Sequence, residues 1–177
     1  MKFLTPKNKP KEVKRIKPNS KNYVMNITGE ISENTFVDWR FAEKDNDLVF
    51  NINSYGGDLT TAMNIYERMR KEKRKKICKS FGGVESAAIN IFVAGDERIA
   101  GINDVFMIHN GKVNNKTIDE LQFFMDYANR CSVIISKRLS DISIRPFEFW
   151  MDLFTNGKNN YFTGQEMYDL GVVTELI

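Results

Sequence analysis

Residues that bind metals or form cross-links are scarce in this chain. One histidine and two cysteines are found among 177 residues. Cys78 and Cys131 stand far apart with no C-x-x-C pair, a ligand supply too thin for a structural zinc site. Long apolar runs are missing as well. The longest, "AAINIFVAG" at 87–95, is broken by Asn90 and falls far short of the roughly twenty residues a membrane helix needs. The basic N-terminus is not followed by an apolar segment of secretory type. Neither G-x-G-x-x-G nor a P-loop with its Lys-Ser/Thr pair occurs, which counts against a nucleotide site. The expectation is a cytoplasmic protein with reduced thiols, no metal and no cofactor.

What is present is ordinary for a soluble globular domain: 42% hydrophobic and 28% charged residues in a chain of 20.5 kDa. That length suits one domain with a real core. The net charge of +3 is unevenly placed. Residues 1–21 hold eight Lys/Arg, three Pro and a single acid, so residues 1–22 read as a basic flexible leader. Only Phe3 interrupts its charges, whereas single-stranded nucleic-acid binders interleave aromatics; nucleic acid is not an expected partner. A second basic run, "RMRKEKRKK" at 68–76, has the placing of a helix end, where cations complement the macrodipole.

Short apolar segments alternate with helical patterns, the mark of βα units. Strands are expected at 23–28, closed by Gly29, at 47–53 and at 75–81. "ERIAG" and "NDVFMIH" are two more, and "VVTELI" is the last. Helices are expected at 32–43 with Ser32 as N-cap, from Asp58 to about 73 with Leu59, Met63, Tyr66 and Met69 on one face, and at 86–94 as a buried helix. A long helix is expected near 117–139, with Ile118, Leu121, Met125, Ala128, Ile135 and Leu139 along one side. Thr163-Gly-Gln-Glu166 spells a capping box for a short helix ending at Gly171.

Two glycine turns lie between strand and helix, "INSYGGDL" and "FGGVESAA". Such turns can aim backbone N–H groups at an oxygen that gains charge in a transition state. Ser86 sits where strand gives way to helix, as in a nucleophile elbow, although G-x-S-x-G is not spelled. By itself it also reads as an N-cap, and His109 by itself as a structural residue at a strand end. Together they make a hydroxyl and the one imidazole able to activate it.

In order along the chain stand "INSYGG" (52–57), "IYERM" (65–69), "GGVESAAINIFVAG" (82–95), "MIHNG" (107–111) and "YFTGQEMYDLGVV" (161–173). This series resembles the Clp protease proteolytic subunit (ClpP) family over about 23–177. It is most similar to the shorter phage and prophage ClpP-like peptidases of capsid maturation. The resemblance implies an α/β, ClpP/crotonase-like spiral of βα units: one ClpP-like peptidase domain over 23–177 with a long protruding handle helix. It also implies a homo-oligomeric ring, a polypeptide substrate and no membrane association. Residue by residue, Ser86 corresponds to the nucleophile and His109 to the general base. Gly57 and Ala87 correspond to the two oxyanion donors.

Three departures accompany the likeness. "GKNNYFT" places Asn159 where the family carries the third, acidic member of the triad; Asp152 is a stand-in from the preceding helix. Glu85 precedes the serine where a small residue is usual, and is expected to point to solvent. The leader replaces the axial loop and N-terminal helix with which the family's large subunits meet an AAA+ unfoldase, which argues against that partner. The expected function is a serine endopeptidase. The alternatives are a self-assembling pseudoprotease with a weakened triad and, further off, a crotonase-like acyl-CoA enzyme.

Overall fold

The computed structural model describes residues 22–35, 37–111 and 118–177. Residues 1–21 of the expected basic leader and the start of the expected long helix lie outside them. Three parallel strands form the first part of the sheet: β1 (Asn22–Ile31), β2 (Asp47–Gly57) and β3 (Lys76–Glu85). β1 does not stop at Gly29. The register slips between Thr28 and Glu30, and Gly29 takes φ 71°, so the strand passes through a bulge and continues.

The helix expected at 32–43 does not form. Val37, Asp38 and Trp39 are buried in succession, which one stripe of a helix cannot do. Trp39 meets Phe50 edge-on at 5.8 Å, and Asp38 takes the fork of Arg40 at 2.8–3.0 Å. The segment is a loop that inserts an aromatic and orders itself locally.

Helix α1 (Leu59–Lys71) forms as expected, capped by Asp58, whose carboxylate accepts the N–H of Thr61 at 2.6 Å. Its buried residues are Ala62, Ile65 and Met69, with Leu59, Met63 and Tyr66 packed at the border. The basic run beyond it is largely tied to the protein. Arg68 covers the ring of Trp39, and Arg74 reaches the Ala42 and Glu43 carbonyls. The Lys76 ammonium, almost wholly buried, sits on the Glu72 and Arg74 carbonyls and pairs with Asp96 at 2.9 Å.

β3 changes neighbours along its length. Ile77–Lys79 pair with β4 (Glu97–Ala100), and Gly83–Glu85 pair with β5 (Val105–Ile108), both in parallel. β6 (Asn160–Thr163) runs antiparallel to β5, and β7 (Glu175–Leu176) closes against β4. Between these lie α2 (Ala87–Phe92), α3 (Ile118–Ile142), α4 (Phe147–Thr155) and α5 (Gly164–Asp169). The mixed, mostly parallel sheet with its helices makes one α/β domain. The capping box at Thr163 and Glu166 is present in both directions. The last strand is shorter than "VVTELI": Val172 and Val173 are core residues whose N–H groups both turn to the Met167 carbonyl.

The long helix buries Cys131, Ser132, Ile135, Ser136 and Leu139, but Met125 on the expected stripe is 53% exposed. The first described turns of α3 therefore stand out from the core and its later turns pack into it. Both cysteines are free and buried, and burial pushes the Cys78 thiol up to about 12. Among the described residues no helix is long and apolar enough to cross a membrane.

Glu72 holds the α1–β3 corner, accepting the N–H groups of Lys73 and Arg74 and pairing with the Arg74 guanidinium at 2.8 Å. The Arg74 hydrogen bond leads in holding its carboxyl at about 2, below the ordinary 4.5. A lowered carboxyl pKa stabilises the fold fully above the unfolded value and loses that contribution as pH falls through the folded one. Glu72→Gln is expected to cost about 1–3 kcal/mol at pH 7, with the difference from wild type shrinking between about pH 4.5 and 2 in denaturant titrations.

Candidate active site

The carboxyl ends of β2, β3 and β5 lie side by side, because β3 pairs with both others near its end. In open α/β sheets this is where ligands bind. Gly57 ends β2, Ser86 follows β3 and His109 follows β5, so three residues distant in sequence emerge at one edge.

Ser86 occupies the N-cap position of α2, yet its hydroxyl makes no cap hydrogen bond. Its Oγ lies 2.7 Å from His109 Nε2. The backbone there takes φ 53° and ψ −123°, a conformation a non-glycine residue adopts only when its surroundings enforce it. One enforcer is the Ser86 N–H, which donates to the Met107 carbonyl at 2.7 Å and ties the turn to the histidine's strand. In this geometry Nε2 accepts the hydroxyl proton when Nδ1 carries the ring hydrogen.

The glycine pair makes the close approach possible. At Gly56, with φ 94°, an added Cβ would stand 2.6 Å from the Ser86 Cβ and 3.0 Å from the Ala87 nitrogen. At Gly57, with φ 139°, it would run into the Ile31 carbonyl oxygen. Ser54, buried beneath them, accepts the Gly56 N–H at 3.1 Å and donates to the Gly29 carbonyl at 2.6 Å. Gly57, Ala87, Ser86 and His109 all border one cavity of about 440 Å³, whose far wall includes Tyr127 and Phe154. Ala87 opens α2, where backbone N–H groups lack intrahelical acceptors.

Asn159 is exposed, and among the described hydrogen bonds none joins it to His109. Asp152 on α4 is likewise exposed. The neighbouring Asn160 does the structural work. Its Nδ2 donates to the Ile108 carbonyl at 3.1 Å and the Leu153 carbonyl at 2.9 Å, and its Oδ1 accepts from Asn156 at 3.0 Å. It thereby fastens the strand that delivers His109. Glu85 is half-buried rather than fully in solvent. An added Cβ at Gly83 would lie 3.5 Å from its Oε1, so the carboxylate folds back over β3.

The sequence reading missed Gly56, Ser54 and Asn160. The doubled glycine signals a close approach but not which member meets the serine. Nothing in the run Asn156, Asn159, Asn160 separates the three roles before the register of β5 and β6 is known. Among the described residues no group of three His, Cys, Asp or Glu side chains could hold a metal ion.

Gly56→Ala is expected to cost about 2–4 kcal/mol and to abolish the reactivity of Ser86 toward a fluorophosphonate, read by thermal melting and labelling on the same sample. No curated protein matches the chain. A protein-family model described as Clp protease matches residues 14–177, and it covers every element of the site described above: the chain belongs to the Clp protease family.

Proposed function

We propose that the protein is a serine endopeptidase that cuts polypeptide through an acyl-enzyme on Ser86. The observation that carries this reading is the 2.7 Å contact between Ser86 Oγ and His109 Nε2 at a strained strand-to-helix turn. His109 takes the hydroxyl proton as Oγ attacks the carbonyl carbon of the scissile bond, then gives it to the departing amine. Water then attacks the acyl carbon as the same imidazole takes its proton, the bond to Ser86 Oγ breaks, and the imidazole returns the proton to Oγ as the acid leaves. The carbonyl oxygen, negative in each tetrahedral intermediate, faces the main-chain N–H groups of Gly57 and Ala87. Neither donor uses a side chain, so only backbone approach matters at these positions. The cavity beside Ser86 receives the residue whose carbonyl is attacked.

Clp proteases act on polypeptides as oligomeric rings, and a homo-oligomer is the assembly proposed here. The projecting start of α3 supports it: Phe123 is 68% and Met125 53% exposed, an apolar surface for a second copy. The motif pattern favours the phage-type branch. A second reading, a self-assembling pseudoprotease, rests on Asn159 standing where the family carries an acid, since an amide brings no full negative charge to an imidazolium. The Ser86–His109 contact speaks against the acyl-CoA alternative, which has no use for that pair.

Ser86 is expected to label with a fluorophosphonate, to lose all labelling in Ser86→Ala, and to label at least about 10³-fold more slowly in His109→Ala. A folded, assembled wild type that never labels would establish the pseudoprotease instead. Asn159 tests the third position. Ile108 pairs with Asn160 in the antiparallel ladder, so residue 159 lies one step along, level with His109. Asn159→Asp is expected to raise kcat/KM on the order of tenfold, about 1.4 kcal/mol of imidazolium stabilisation; identical kinetics would assign the orienting role to another group.

A further inference from the structure

Helix α2 carries Ser86 at its start and has six residues, every one buried. Its single polar side chain is Asn90, fully buried one turn beyond Ser86. A buried amide must find partners or cost the fold its desolvation. The partner of its carbonyl oxygen comes from outside the α1–α2 pair: Arg138 of α3 donates Nη1 to Asn90 Oδ1 at 2.6 Å. The same guanidinium donates Nη2 to Glu67 Oε1 at 2.6 Å and lies 3.5 Å over the ring of Tyr66. Met63 completes the shell, its Sδ 3.3 Å from both Arg138 Nη1 and Asn90 Nδ2. The Arg138 side chain is only 13% exposed, while Glu67, at 54%, forms the outer edge of the cluster.

Each of the three helices meeting at Arg138 supplies part of the cavity wall. Leu59 and Thr60 at the head of α1, Ala87 of α2, and Ser132 and Ile135 of α3 all border it. Arg138 stands one turn beyond Ile135, and Asn90 one turn beyond Ser86. We propose that Arg138 is a positioning residue for the reaction: by bridging Asn90 to Glu67 and Tyr66 it fixes α2, and with it the Ser86 hydroxyl, against the α1 and α3 walls of the substrate cavity. A planar guanidinium can hold two acceptors and an aromatic face at once, which a lysine ammonium cannot. The inference builds on the peptidase reading.

The test compares full-length wild type with Arg138→Met, Arg138→Lys and Glu67→Gln. The last removes the outer anchor from a half-exposed glutamate and leaves α2 untouched, so it remains informative if Arg138→Met fails to fold. Two readouts are taken: hydrogen exchange of the α2 amides, and the fluorophosphonate labelling rate per titratable Ser86 together with kcat and KM on a peptide. The expected result is α2 exchange faster by about tenfold or more in Arg138→Met, with the β1 and β2 amides unchanged. Labelling and kcat should fall about 10–100-fold, with KM moving less than threefold. Arg138→Lys and Glu67→Gln should lie between this variant and wild type. Wild-type exchange in α2 and an unchanged rate per titrated site in the folded variants would overturn the proposal. So would a uniform loss of folded protein with kcat per site preserved, the signature of mere structural support. If wild-type Ser86 never labels, the peptidase reading falls, and α2 exchange alone still decides whether Arg138 fixes the helix.

Discussion

The site depends on one steric constraint, the passage of the β2 backbone across the Ser86 turn with no side chain between them. A methyl group at Gly56 would stand 2.6 Å from the Ser86 Cβ. The paired glycines are therefore what allows two strand ends to share one carbonyl-sized space. From this follow the positive φ of Ser86 and the alignment of its hydroxyl with His109. Strain at the serine is held by parts that are themselves well anchored: Ser54 under the glycine turn, the Met107 carbonyl on the Ser86 N–H, and Asn160 behind the histidine's strand.

Several cations among the described residues are used for construction. The basic run 68–76 straddles the end of α1, as its placing in the sequence implies. In the fold, Arg68 stacks on Trp39, Arg74 caps carbonyls of the preceding loop, and Lys76 is buried on two carbonyls and an aspartate. Arg98 is treated alike, donating to the Val172 and Gly95 carbonyls to fasten the C-terminal segment, and burial lowers its pKa. Cations that satisfy the protein's own acceptors are not available to hold phosphates. Arg138 is used in the same way, with the difference that the helices it joins border the cavity.

The elements that sequence patterning located correctly are those whose periodicity and caps agree. Asp58 opens α1, Thr163 and Glu166 reciprocally cap α5, and the alternating apolar strands bury one face. The segment 32–43 misled because its apolar residues are spaced as a helix would space them, while a buried Trp39 and a local Asp38–Arg40 fork stabilise a loop instead. Gly29 misled for the opposite reason. It reads as a terminator, but a glycine in the left-handed region can carry a strand through a bulge as easily as end it.

The order of motifs determined, before any coordinates, the family, the α/β class, and the serine and histidine worth watching. Those features are local, since each is a short run whose residue types fit one backbone conformation. Tertiary structure alone decided the pairing of β3 with two successive neighbours, which puts Ser86 Oγ within 2.7 Å of the imidazole. It alone separated Asn159 from Asn160, because an antiparallel register set one side chain on the Ile108 carbonyl and left the other exposed. Distances between residues far apart in sequence come from the packing of whole elements, and no short stretch of chain encodes them.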